Sequence, residues 1–278
     1  MPLILAISSW VARGHVGLSA AIPVLQAGGC EALSFPTVIL SNHPGHAACA
    51  GSRVAVDHLQ AMLDALDQNG WLSDVDAILT GYFPSPEHVA FAASAIQRVR
   101  KLNPRVQVWC DPVIGDDPRG LYVPNDVAEV VRDRLLPLSD CITPNRFELQ
   151  WLSGRAVTNQ ADAVDAARAL GASLTLVTSV PAGEGVIANV AVTPTEAWST
   201  TSALRNAVPH GTGDALAAAF LAARSAGRPV PEALGAASGA IDTIVAASLG
   251  RDELQLVQAR DAWTTAPPAA VSPLTAPC

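Results

Sequence analysis

Short apolar runs alternate with helix-patterned segments along almost the whole chain, and this alternation constrains the fold more than any other feature. Residues 2–8 form a continuous apolar run, as expected of a central parallel strand covered on both faces. A helical pattern over 18–27 follows and stops at Gly28-Gly29, where glycine readily takes the C-terminal turn. The same alternation then repeats. Strands are predicted at 31–35, 75–80, 106–110, 141–143 and 174–178, and helices at 54–69, 86–101, 125–135, 145–152 and 160–170. Residues 185–192 and 196–201 read as an antiparallel pair turning at Thr193-Pro194-Thr195. Alanine-rich helices over 215–226 and 230–249 end the pattern. Strands and helices in this order predict an α/β fold: a three-layer αβα sandwich with a mostly parallel central sheet and a small antiparallel edge hairpin. One domain over 1–263 accounts for it. Residues 264–278 carry no charge and four prolines, and read as a disordered tail.

Composition removes several functions. The 278 residues are 50% hydrophobic, enough for a large core, and carry a net charge of −8. That balance argues against a nucleic-acid partner, which needs a basic face. No apolar run reaches the ~18 residues of a membrane span. The five cysteines have no C-x-x-C spacing and read as reduced thiols in a cytoplasmic protein. The first residues lack a basic leader and read as a buried strand. Lys101 is the only lysine. There is therefore no Gly-Lys-Ser/Thr phosphate loop, and Lys101 is a poor Schiff-base candidate.

In a parallel sheet, ligands bind beyond the C-terminal ends of the strands, so the polar residues there carry the functional argument. Ser9, Gly81, Tyr82, Asp111 and Thr178 fall at or just after such ends. His210-Gly211-Thr212-Gly213-Asp214 precedes an apolar helix. Glycines permit a tight turn and close approach of a ligand, and the first helical turn offers unpaired N–H groups to an anion. Asp214 beside such a turn reads either as a base or as a residue favouring the helix dipole. Asp111 and Asp116 lie in one strand-end loop, and Asn145 and Glu148 are three apart at a helix start. These oxygens suit Mg²⁺, and Asn145 with Glu148 equally suits a helix cap. His43 and His46 share a long loop over 36–51 without the spacing of a zinc site. His15 and His210 are candidates for a ligand loop, or simple turn residues. Cys110 reads as a buried, inert thiol.

Taken together, these pieces resemble the ribokinase-like superfamily and, within it, the pyridoxal kinases. The resemblance runs from Leu3 to about Ala262. It is carried by Ala6-Ile7-Ser8-Ser9, Gly14-His15-Val16-Gly17, Thr37-Val38-Ile39-Leu40-Ser41-Asn42-His43 and Thr80-Gly81-Tyr82. Asp111-Pro112-Val113-Ile114-Gly115, Tyr122-Val123-Pro124, Ile142-Thr143-Pro144-Asn145 with Glu148, Val177-Thr178-Ser179 and Gly211-Thr212-Gly213-Asp214 continue it. The resemblance implies ATP-dependent phosphorylation of the 5′-hydroxymethyl group of pyridoxal. Asp214 would be the base, and the N–H groups of Gly211, Thr212 and Gly213 would hold the transferring phosphoryl group. Ser9, Val16, Ser41, His43, Pro44 and Tyr82 would face the acceptor. Asp111, Asp116, Tyr122, Thr143, Asn145, Glu148, Thr178 and Ser179 would line the ATP side, with Asp111 and Glu148 toward the metal. ATP, Mg²⁺ and often K⁺ are the implied cofactors, and a homodimer the implied assembly. Two residues depart from the family pattern: Pro44 stands where a threonine is common, and Trp10 where a histidine is. Both lie on the acceptor side. The alternatives are a hydroxymethylpyrimidine-type kinase of the same superfamily and a non-catalytic binder of pyridoxal phosphate or nucleotide.

Overall fold

The computed structural model describes residues 1–274. Strand β1 (Leu3–Val11) leads to helix α1 (Leu18–Ala27), then β2 (Glu31–Leu40), β3 (Gly51–Arg53) and α2 (Val56–Gln68). Next come β4 (Ala77–Thr80), α3 (Pro86–Leu102), β5 (Gln107–Cys110), the hairpin β6 (Gly115–Asp116) and β7 (Gly120–Leu121), and α4 (Asn125–Val130). β8 (Cys141–Ile142), α5 (Arg146–Ser153), α6 (Gln160–Ala169), β9 (Leu174–Pro181), β10 (Val186–Val192) and β11 (Ala197–Ala203) follow. The chain continues through α7 (Thr212–Ser225), α8 (Val230–Ser248), α9 (Arg260–Thr264) and β12 (Ser272–Pro273).

A ten-stranded sheet in the order β12-β11-β10-β9-β8-β5-β4-β1-β2-β3 forms the middle layer. The run from β9 to β2 is parallel, as the continuous apolar strands predict. One core lies between the sheet and α1, α7 and α8, and holds Ile4, Val24, Phe220 and Leu234. A second, on the opposite face, joins β1, β4 and β5 to α2, α3 and α4 through Leu5, Leu63, Ile78 and Ile96. A third packs α6 on β9 and β10. Trp109 of β5 meets Phe220 of α7 edge-on, with ring centroids 5.7 Å apart. Such a pair is worth about 1 kcal/mol beyond its buried area. It fixes α7 against the strand that leads into Asp111.

The structure differs from the sequence reading in four places. β1 and β2 run on to Val11 and Leu40, so the loop expected over 36–51 shortens to 41–50. Pro36, opposite Ser8, has no N–H for the ladder, and the register shifts there before pairing resumes at Trp10 and Ile39. The expected loop over 113–124 contains the β6–β7 hairpin. The antiparallel part is larger than one hairpin, since β10, β11 and β12 line one edge and β3 the other. Residues 267–274 do not form the loose tail expected over 264–278. β12 pairs with β11, and the Ala269 N–H donates to Gly235 O at 2.8 Å. Glycine makes this docking possible, because a Cβ at Gly239 would sit 2.2 Å from Pro267 O. The rest of that tail, 275–278 with Cys278, lies outside the described residues.

Candidate active site

Two helix N-termini meet at Asp214. Gly211 caps α7 with a left-handed backbone, φ 101°, and no side chain caps the helix. A Cβ on Gly211 would lie 1.8 Å from the His15 carbonyl oxygen, so only glycine fits. The first turn of α7 therefore keeps N–H groups free to meet an anion. α1 packs on α7, and its cap Gly17, φ 55°, sets its N–H against the Asp214 carboxyl. A Cβ on Gly17 would meet Ser9 Oγ at 2.2 Å. Ser9 itself sits at the register shift between Ser8 and Trp10.

Asp111 extends β5, its N–H donating to Thr80 O at 2.9 Å. Its carboxylate accepts from Thr143 Oγ1 at 3.1 Å. Asp111 and Asp214 line one cavity of about 10 Å³ together with Ser8, Gly17, Thr80 and Gly81. That is room for a single water at most. Burial and the neighbouring Asp214 push the Asp111 carboxyl well above the usual carboxylate range. Burial pushes Asp214 up as well, against the opposing effect of the Gly17 N–H. Glu148 is raised by burial and by Asp111. Among the described residues none of these three carboxylates has an Arg, Lys or His ion-pair partner.

Such an uncompensated acidic group fits a cation. Asp111 has the freer oxygen, because both Glu148 oxygens are engaged. Oε1 accepts from the Ile114 N–H at 3.0 Å, and Oε2 from the Asn145 N–H at 2.9 Å. The Asn145 side chain accepts from the Glu148 N–H, completing a capping box at α5. The capping alternative thus describes the geometry of Asn145 and Glu148, and their first task is to hold the β5–β6 loop. Asn145 Nδ2 also donates to Gly115 O at 2.8 Å. The described residues contain no cluster of three or more metal-binding side chains, so a divalent ion here would take most of its ligands from phosphates and water.

One prediction follows from the raised Asp111 carboxyl. A carboxyl raised on folding favours the native state while protonated, and that contribution is lost as pH rises through its folded value. Asp111→Asn should therefore stabilise the metal-free protein near neutral pH. Thermal unfolding should show a Tm about 2–5 °C higher, while turnover falls.

The other residues expected on the nucleotide side fall around the same strand ends. Thr143 is buried beside Asp111. Asp116 is exposed on the β6–β7 hairpin, and Tyr122 follows that hairpin with half its surface open. Thr178 and Ser179 sit at a register shift in the β9–β10 ladder, between the pairs Val177–Val190 and Val180–Ala188. The Thr178 N–H donates to Pro144 O at 3.0 Å, and Ser179 takes φ 57°. A non-glycine residue with left-handed backbone costs energy and clusters at functional sites.

On the opposite side, Val16 is buried just before α1, and Tyr82 is half-buried after β4. Two hydroxyls that lie in the family-like segments but were given no role of their own, Ser8 and Thr37, hold Tyr82. Its N–H donates to Ser8 Oγ at 3.0 Å, and Thr37 Oγ1 donates to its carbonyl at 2.8 Å. The apolar run through 2–8 hid Ser8, and Thr37 looked like a loop residue until β2 was seen to continue. Gly81 permits this contact, since a Cβ there would lie 2.4 Å from Ser8 Oγ. Ser41 Oγ donates to Asn42 Oδ1 and accepts from the Ala50 N–H, closing the 41–50 loop. His43 lies on that loop beside Pro44, which is exposed. The uncapped first turn of α7, the Asp214 carboxyl within it and the Asp111 carboxyl in the same cavity suit transfer of a phosphoryl group to an alcohol.

Residues 12–256 match the phosphomethylpyrimidine kinase family. The chain is 36% identical to the pyridoxal kinase PdxY of Leifsonia xyli subsp. xyli, over 93% of this chain and 94% of that one. It is 37% identical to the PdxY of Rubrobacter xylanophilus, over 95% and 94%. Among solved structures, the Leishmania donovani pyridoxal kinase in complex with ADP and pyridoxine superposes with a TM-score of 0.91 at 28% identity, over 98% and 99% of the two chains.

Proposed function

The chain belongs to the family of phosphomethylpyrimidine and pyridoxal kinases of the ribokinase-like superfamily, and on that premise we propose that it transfers the γ-phosphoryl group of ATP to the 5′-hydroxymethyl group of pyridoxal. The observation that carries this reading is the meeting of Asp214 with the uncapped first turn of α7. Asp214 takes the hydroxyl proton as the oxygen attacks. The N–H groups of Gly211, Thr212 and Gly213 stabilise charge on the equatorial oxygens of the moving group. Mg²⁺ supplies further neutralisation of phosphate charge when bound. Asp111 is the side chain best placed to hold it, with Glu148 behind, and a monovalent ion such as K⁺ belongs to the same reading.

Asp116, Tyr122, Thr143, Asn145, Thr178 and Ser179 line the nucleotide side. Ser9, Val16, Ser41, His43, Pro44 and Tyr82 face the acceptor. The exposed Trp10 and Ile39, paired across β1 and β2, support assembly as a homodimer. Buried Cys30, Cys110 and Cys141, all unpaired, support a cytoplasmic setting.

With MgATP and pyridoxal, ADP and pyridoxal 5′-phosphate should appear in equal amounts in a coupled assay. Chelating the divalent ion should abolish turnover, and re-adding Mg²⁺ should restore it. Undiminished turnover in excess chelator would contradict the metal assignment. Tight nucleotide binding without ADP release would support the non-catalytic alternative.

A further inference from the structure

The loop over 41–50 is fastened to the rest of the molecule at two points. His43 stacks on His210, with ring centroids 3.9 Å apart and planes 23° apart. His46 Nε2 lies 3.1 Å from Glu253 Oε1. His210 is the residue immediately before Gly211, and Glu253 follows α8. The two contacts thus join one loop to the segments that enter α7 and leave α8.

The stack is locally built. The Gly45 N–H donates to His43 Nδ1 at 3.0 Å, so the ring carries its proton on Nε2. A Cβ on Gly45 would lie 2.9 Å from His43 Nδ1 and 3.5 Å from His210 Nε2. The turn therefore wraps the paired rings, and a side chain at 45 would press on the His43 ring. Asn42 Nδ2 donates to His43 O and Ala48 O, which stiffens the loop behind the ring. Burial disfavours the charged form of both rings. Arg119 acts in the same direction on each, and Asp116 opposes it at His210. The pair consequently stacks as two neutral imidazoles. Glu253 also lies close against the Gly14 backbone, where a Cβ would fall 2.2 Å from its Oε2.

We propose that His210 is a positioning residue for the acceptor: by stacking on His43 it latches the 41–50 loop to the anion-binding turn, with His46 and Glu253 as the second latch. This rests on the acceptor reading of the loop. When the latch is closed, the wall carrying His43 and Pro44 is fixed relative to Gly211. The acceptor pocket then has one shape, in register with the phosphoryl site. When the latch is open, the loop loses that reference and the pocket is no longer pre-organised.

Two readouts on His210→Ala and His210→Phe test this. Aromatic stacking of this kind makes a KM change of about 3- to 10-fold the expected size. His210→Ala should raise the pyridoxal KM by that factor and leave the MgATP KM unchanged. It should also speed amide hydrogen exchange across 41–50 in the free protein. His210→Phe keeps a stacking ring without a polar nitrogen, and should restore both. Glu253→Ala should speed exchange in the same loop. The exchange measurement needs no substrate, so it decides the latch even if pyridoxal is not the acceptor. Unchanged exchange over 41–50 in His210→Ala would overturn the proposal, as would His210→Phe behaving like His210→Ala.

Discussion

Asp214→Asn should lower kcat for pyridoxal phosphorylation by about 10³-fold or more, while pyridoxal and MgATP still bind. General-base removal typically costs 10²–10⁴-fold, and amide for carboxylate keeps the shape while removing the proton acceptor. The same residue sets the acid limb of the pH profile. As a base it acts only when ionised, and burial raises its pKa above the ordinary carboxylate range. Activity should therefore fall as pH drops through a value above that range, not near pH 4 as for a solvated aspartate. A kcat within a few-fold of the parent in Asp214→Asn would remove Asp214 from the mechanism. The Asp111 carboxyl in the same cavity couples to this titration. The profile then reports the pair and not one residue alone.

Gly211→Ala should damage both fold and function. Its φ of 101° is strained for any side chain, and the added Cβ would overlap the His15 carbonyl. Neither atom is the end of a flexible side chain, so relief requires separating the loop before α1 from the start of α7. Overpacking with backbone strain costs about 2–4 kcal/mol, or roughly 5–12 °C in Tm for a chain of this size. Moving the turn also moves the donors that meet the phosphoryl group, and a displaced oxyanion donor costs about 10²–10³-fold in kcat. Gly213→Ala is the control for stability, since a Cβ there meets no atom within 4 Å. It should unfold within about 1 °C of the parent. Equal Tm values for the two variants would show that the contact between Gly211 and His15 carries no strain.

What could be read from the sequence divides along a physical line. The parallel sheet was visible because each buried strand is a continuous apolar run and each helix repeats every three to four residues. The anion turn was visible because its glycines, aspartate and helix are contiguous. Residues that act through distant partners were not visible. Ser8 looks like the end of the apolar run over 2–8, and only the structure shows it bonded to Tyr82. His43 and His210 are far apart in the chain, so their stack has no local signature. The sequence reads as a strand over 31–35 with Pro36 opening a loop, since proline cannot donate to a ladder. Here a register shift absorbs the missing N–H and β2 continues. The 264–278 segment looked disordered from composition, but Gly235 and Gly239 of α8 let residues 267–269 dock closely. Glu148 suits both a metal and a helix cap in the sequence, and only the structure shows its oxygens capping α5 and holding the β5–β6 loop.

Pro44 and Trp10, the two departures from the pyridoxal kinase pattern read in the sequence, both lie on the proposed acceptor side. The central claim is therefore tested most directly by kcat/KM measured side by side for pyridoxal and for hydroxymethylpyrimidine, with MgATP saturating. The account predicts that pyridoxal is favoured by about tenfold or more, the order expected when site hydrogen bonds fit one acceptor and not the other. A preference of that size for hydroxymethylpyrimidine would contradict it, leaving the phosphoryl-transfer site in place and assigning the chain to the other branch of its family.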